Sequence, residues 1–153
     1  MAYVAVHGEE REINDALEKS YELPNRAIMT INRERFKCTE PLFQPRLFGE
    51  RGPGVSELIC KTISQIEDIP RTPFYQNIVI CGGNSMLPGF TERVTKELKE
   101  MQALQAQIVS PSQFGKYASW LGGSIFSTIM PADYWLNRKE YEETGTSIQY
   151  KCM

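Results

Sequence analysis

Apolar residues recur at helical spacing over three stretches of this chain, and proline or glycine borders or interrupts each of them. After Pro53, "GVSELICKTISQIEDI" places Val55, Leu58, Ile59, Ile63 and Ile66 at steps of three and four. That spacing predicts an amphipathic helix with one buried stripe, which "PRTPFYQ" then breaks. In "PGFTERVTKELKEM" the residues Phe90, Val94, Leu98 and Met101 share a face, with Glu92 and Lys96 paired on the wet side. "KYASWLGGSIFSTI" carries Trp120, Leu121, Ile125 and Ile129 on a third helix. Its Gly122-Gly123 pair lowers helix propensity and is tolerated where another backbone comes close.

Between these helices lie short apolar segments. "AYVAV" reads as a short strand or apolar entry segment, and the charged "HGEEREINDALEKS" after it as helical in part. "SYELPNRAIMTIN" predicts two strands around a Pro-Asn-Arg turn. "RERFKCTEPLF" is short helix or irregular chain, stopped by Pro41. "QPRLFGERGPG" is a loop by its Pro and Gly content, with Leu47 and Phe48 adjacent on it. "NIVICGG" predicts a strand ending in glycines, and "AQIVS" another strand. The tail suggests short helices around Trp135 and Tyr141, then an extended end. Strand, glycines, helix, strand, helix is an α/β order, and the more polar N-terminal third is a candidate separate lobe.

Composition narrows the function classes. The 153 residues favour one domain with a real core, and 17 basic against 19 acidic residues leave no strongly basic surface. No nucleic-acid or membrane partner is therefore expected, and no apolar run is long enough to cross a bilayer. The N-terminus lacks the pattern of a secretory signal. Cys38, Cys60, Cys81 and Cys152 are scattered without a CxxC pair, which argues against a disulfide framework or zinc site and for a reducing compartment. Cys60 and Cys81 read as small core residues, and Cys152 as exposed. The single histidine, His7, reads as a solvated turn residue before Gly8.

The candidate chemistry lies in "NIVICGGNSMLPGF". Gly82 and Gly83 fall at the carboxyl end of a predicted strand, where ligands sit in open α/β sheets, and a helix N-terminus follows. Missing side chains admit a flat or anionic group to the backbone, and a helix N-terminus favours negative charge. The spacing matches neither the dinucleotide-binding nor the P-loop fingerprint. On its own, "GGNS" serves equally as a tight strand-to-helix turn.

The wider context adds to this. "IVICGGNSMLPGF" resembles the adenosine-contacting segment of the superfamily of actin, sugar kinases and Hsp70. "EKSYELP", "RERF", "LFQP", "GGNSMLPGF", "KYASWLGGSI", "KEYEETGTSI" and "KCM" follow the order and approximate spacing of the C-terminal part of actin. On these seven collinear segments the chain is identified as a member of the actin family, from about Tyr3 to its last residue. The resemblance implies the C-terminal part of the actin-like ATPase (RNase H-like) fold, a mixed sheet flanked by helices with a small polar N-terminal lobe. Residues 1–50 would belong to the small nucleotide-cleft lobe, 51–117 to the large-lobe core, and 118–153 to a C-terminal helical segment docking on the other lobe.

The resemblance also implies a nucleotide-facing set, Gly82, Gly83, Asn84, Ser85, Met86, Leu87 and Lys116. Gly83 packs against the nucleotide, Asn84 and Met86 line its phosphate-sugar and adenine sides, and Lys116 lies beside the adenine. Leu87 replaces a usual tyrosine, so one aromatic contact is lost. Actin-type ATPases grip phosphates with two glycine-containing hairpins, each with an acidic residue, and a glutamine positions water. Those elements precede the matched region, and no D-x-G hairpin occurs here. The chain is therefore expected to carry one wall of an ATP cleft, with no catalytic residue or metal ligand of its own. ATP or ADP with Mg is expected only where another chain completes the cleft.

Two surfaces resemble actin's protein contacts. Leu47 and Phe48 match the apolar tip of the hydrophobic plug, here made more charged by Arg46, Glu50 and Arg51, which opposes ordinary filament packing. Leu121, Ile125, Phe126 and Ile129 match one wall of the barbed-end groove that docks amphipathic helices. If the chain is complete, apolar surface normally covered by the rest of the fold needs a partner. The expected function is a structural subunit of a cytoskeletal or axonemal assembly, cytoplasmic, without ATPase activity alone, with actin-like subunits among its protein partners. Two alternatives are a fragment of an actin-type ATP-binding filament protein completed by another chain or a missing N-terminal half, and a nuclear scaffold of a chromatin-remodelling complex.

Overall fold

The computed structural model describes residues 2–6, 18–101, 103–110 and 115–152, with side-chain surroundings described through Ile148. Two compact units emerge, residues 1–118 and 119–153. The expected partial helix in "HGEEREINDALEKS" and the turn at His7 lie mostly outside the described residues.

The core of the first unit gathers Val4, Phe43, Phe90, Val94, Leu98 and Ala103. Helix α4 (Phe90–Glu100) supplies three of these at i, i+4 and i+8, so one stripe faces inward as its spacing requires. Burying a side chain such as Leu98 stabilises the fold by ~1.5–3 kcal/mol. Helix α2 (Val55–Ser64) packs on α4. Its inward residues are Ser56 and Ile63, with Val55 and Ile59 half-buried, whereas Leu58 is 46% exposed. The helix ends at Ser64, so Ile66 lies beyond it. Met101, expected on the α4 stripe, lies just past the helix end and is exposed. "PRTPFYQ" breaks α2 and then forms a short helix of its own, α3 (Thr72–Gln76).

Residues 2–6 form no strand, yet they run through the interior. Val4 and Ala5 are buried, Tyr3 N–H donates to Arg35 O at 3.1 Å, and Val4 N–H donates to Pro88 O at 2.8 Å. Thr39 Oγ1 donates to Tyr3 O at 3.0 Å. This strap ties the short helix α1 (Glu34–Lys37) to the start of α4. An irregular segment is stable here because Arg35, Thr39 and Pro88 satisfy its backbone groups.

The predicted hairpin is present as β1 (Lys19–Glu22) and β2 (Ile28–Ile31), antiparallel, with Lys19 opposite Ile31 and Glu22 opposite Ile28. Its turn closes through Arg26 N–H to Leu23 O at 2.8 Å and Ala27 N–H to Asn25 Oδ1 at 3.1 Å. A second pair, β3 (Ile78–Val79) and β4 (Ile108–Val109), is parallel, with α4 lying between its strands in sequence. In place of one mixed sheet, the described residues thus form two separate two-stranded pairings. The strand in "NIVICGG" is cut to two residues, and Cys81 beyond it is exposed instead of lying in the core.

The second unit holds most of α5 (Ala118–Ile129), a 3-10 turn at Ala132–Tyr134, and α6 (Arg138–Thr144). The end of the chain, expected to be extended, forms a 3-10 helix over Gly145–Cys152 that packs on α6. A capping box starts α6: Glu140 N–H donates to Asn137 Oδ1 at 2.9 Å, and Asn137 N–H to Glu140 Oε2 at 3.1 Å. A Cβ built on Gly122 or Gly123 would meet no described atom within 4 Å, so no close backbone explains that pair.

Candidate functional site

The chain leaves β3 and turns at Gly82, whose φ of +99° is a conformation that a side chain would strain. The turn is fixed at both ends. Gly82 N–H donates to Gly115 O at 2.7 Å, and Ser85 Oγ donates back to Gly82 O at 2.7 Å. A 3-10 helix at Asn84–Met86 follows and packs on a second one at Gly115–Tyr117. The sequence brings these two segments together because β3 and β4 run parallel, so both chains leave the pair at the same end. The glycines do not open directly into α4. Leu87 is extended, as a residue before proline prefers, and Pro88 and Gly89 precede the helix.

The seven nucleotide-facing candidates divide by exposure. Gly83, Asn84, Met86 and Lys116 are exposed, Gly82 is half-buried, Ser85 is buried, and Leu87 packs against the core. Among the described residues, nothing lies within 4 Å of a Cβ built on Gly82 or Gly83, so no described side chain fills the space over the glycine pair. Lys116 Nζ sits 5.3 Å from the Tyr117 ring centroid, a cation–π contact that holds the ammonium at the surface. Gly115 was not among the candidates, although it accepts the bond that fixes Gly82. Its only sequence signal is a glycine after a predicted strand, directly before Lys116.

This arrangement is an open wall. The two described concavities lie elsewhere: a shallow groove of about 630 Å³ along α4, lined by Thr91, Glu92 and Lys99 among others, and one of about 290 Å³ between α3 and the chain after α4. Open glycine backbone, an adaptable thioether and a surface ammonium fit the nucleoside side of a nucleotide. Segments 82–87 and 115–117 contain no carboxylate, so these residues do not fit a metal ion. Among the described residues, no cluster of three or more His, Cys, Asp or Glu could hold one either.

Titration is perturbed away from this wall. Burial pushes the Cys60 thiol above its ordinary range, against a hydrogen bond with Tyr75. Burial also raises the Tyr75 phenol, with the neighbouring thiol adding to it. Glu34 is held low by backbone hydrogen bonds at Glu34 and Asn32; the latter N–H donates to its Oε2 at 2.9 Å.

A family model described as Actin matches residues 1–153. The chain belongs to the actin family. Actin-like protein 7B of Homo sapiens is 35% identical to it over 143 residues, covering 92% of this chain and 34% of that protein. The chain therefore spans about a third of the length of this relative. Helices combined with small sheets are consistent with an α/β fold of the actin-like kind.

Within this actin-family chain, the two expected partner surfaces fall in different units. Leu47 and Phe48 close a 3-10 turn at Pro45–Phe48 and are 67% and 55% exposed. The loop reading thus gains a defined turn, ended by Gly49 at φ +85°. On α5, Leu121 is half-buried while Ile125, Phe126 and Ile129 are exposed, and Leu121, Ile125 and Ile129 form an i, i+4, i+8 stripe.

Proposed function

We propose that this chain forms one adenine-facing wall of an actin-related structural subunit and does not turn over ATP by itself. The observation that supports it most is the pairing of the Asn84–Met86 and Gly115–Tyr117 turns through the Gly82–Gly115 hydrogen bond, which presents Gly83, Asn84, Met86 and Lys116 beside open space. Phosphoryl transfer needs a metal–phosphate clamp, and the sequence supplies no D-x-G hairpin for one. The test is phosphate release from Mg-ATP. The reading expects no release above a Lys116→Ala control, and clear turnover above that control overturns it.

Assembly is the second part of the proposal. Helix α5 leaves Trp120, Ile125, Phe126 and Ile129 more than half exposed, each forgoing a good part of the ~1.5–3 kcal/mol that full burial gives. A protein partner, an actin-like subunit or a component of a cytoskeletal or axonemal complex, covers this face in a cytoplasmic setting. A nuclear chromatin-remodelling scaffold is the other setting for the same surface. Ile125→Asp with Ile129→Asp abolishes the complex if this face is the interface; an unchanged complex overturns it.

One observation favours a second reading, that of a piece of an ATP-binding filament protein. The chain covers only 34% of its human relative. In that case ATP with Mg binds, and turnover appears, once a complementing chain is added.

A further inference from the structure

The residue that decides where Met86 lies is on the opposite turn. A Cβ built on Gly115 would stand 2.9 Å from Met86 Sδ and 3.8 Å from Ser85 Oγ. The first distance is shorter than real Cβ contacts allow, so the thioether occupies the space that a side chain at 115 would take. Gly115 is buried, whereas Met86 remains 49% exposed. The same glycine accepts the Gly82 N–H through its carbonyl at 2.7 Å. One residue therefore sets both the backbone of the glycine turn and the seat of the flexible apolar side chain beside it.

We infer that Gly115 is a positioning residue for the nucleotide-facing wall, and that the missing side chain at 115 lets the Met86 thioether fold onto the wall as its apolar contact surface. This rests on the adenine-facing reading above. The affected atom is the far end of a long, flexible side chain, so adding a methyl group at 115 displaces the thioether more readily than the backbone. The Gly82 to Gly115 hydrogen bond uses main-chain atoms and survives the substitution. The effect is thus local to one side chain.

The experiment uses the whole chain labelled at its methionine, valine and leucine methyl groups and at its backbone amides. In the wild type, the Met86 methyl shows a nuclear Overhauser contact to the Gly115 α protons; its absence overturns the inference before any substitution is made. Gly115→Ala moves the Met86 methyl resonance and leaves the Val94 and Leu98 methyl resonances in place, as does the control Gly122→Ala for all three. An unmoved Met86 resonance, or core resonances moving with it, overturns the inference. If Gly115→Ala does not fold, Met86→Ala in the same chain restores folding when the thioether is the obstacle, and failure to restore it counts against the inference. Mg-ATP is then titrated. Gly115→Ala raises the ATP concentration for half-maximal change at Asn84 several-fold, and an unchanged midpoint refutes the functional half. If ATP moves neither Met86 nor Asn84 in the wild type, the adenine-facing reading fails, while the Overhauser contact still judges the Gly115–Met86 relation by itself.

Discussion

The Arg93 guanidinium meets the Glu40 carboxylate at 3.5 Å inside the first unit, with no part of the Arg93 side chain exposed. Arg93 also donates from Nε to Glu97 Oε1 at 2.6 Å and from Nη1 to Ala5 O at 2.5 Å, and lies 5.1 Å from the centroid of the Phe43 ring. One side chain thus joins α4 to the buried strap and to the turn at Glu40–Leu42. Burying a charge is tolerated here because the guanidinium has acceptors on two sides and a ring face on another.

Arg93→Met should therefore destabilise the first unit by ~3–5 kcal/mol, because it breaks a buried ion pair. Adding Glu40→Leu removes the other charge of the pair, so the double variant should lose clearly less than the two single losses combined. Urea denaturation of the four proteins checks this, and additive losses would show the pair to be uncoupled.

How far the sequence anticipated this is seen at particular residues. Phe90, Val94 and Leu98 could be read as a buried stripe because their spacing matches the helix period. Arg93 lies beside Val94 on that same side of α4, but a charged residue type carries no signal of burial. Its acceptors come from Ala5 and Glu40, far away in sequence, and only the tertiary fold brings them there. The hairpin at Pro24-Asn25-Arg26 was legible from turn chemistry. The 3-10 helix over Gly145–Cys152 was not, since a weakly patterned tail has no local preference strong enough to reveal it. At the candidate wall, the glycine pair announced itself by composition. Gly115 could not, because its role depends on the parallel pairing that sets it against Met86.

Alkaline pH should weaken the fold through Cys60 and Tyr75. Both folded-state values are raised, so the folded state holds its protons more tightly than the unfolded chain. Their contribution is complete below the ordinary thiol value of about 8.5 and is lost as pH rises through the raised folded values. Melting temperature measured under reducing conditions should fall above that point more steeply for the wild type than for Cys60→Ala. Parallel curves would contradict the assignment.

Asn137→Ala should loosen α6 alone. Losing the cap costs about 0.5–2 kcal/mol, and the helix has only seven residues over which to recover it. Hydrogen exchange should quicken at the amides of α6 while those of α4 keep their protection. Unchanged exchange in α6 would mean that the capping box contributes nothing there.

The most direct test of the account is a titration of the chain with Mg-ATP followed in its backbone-amide spectrum. An open wall that encloses little of its ligand binds weakly. The account predicts half-saturation in the millimolar range, with the shifts centred on Gly83, Asn84, Met86 and Lys116. Micromolar affinity, or shifts that leave those four residues untouched, would contradict it.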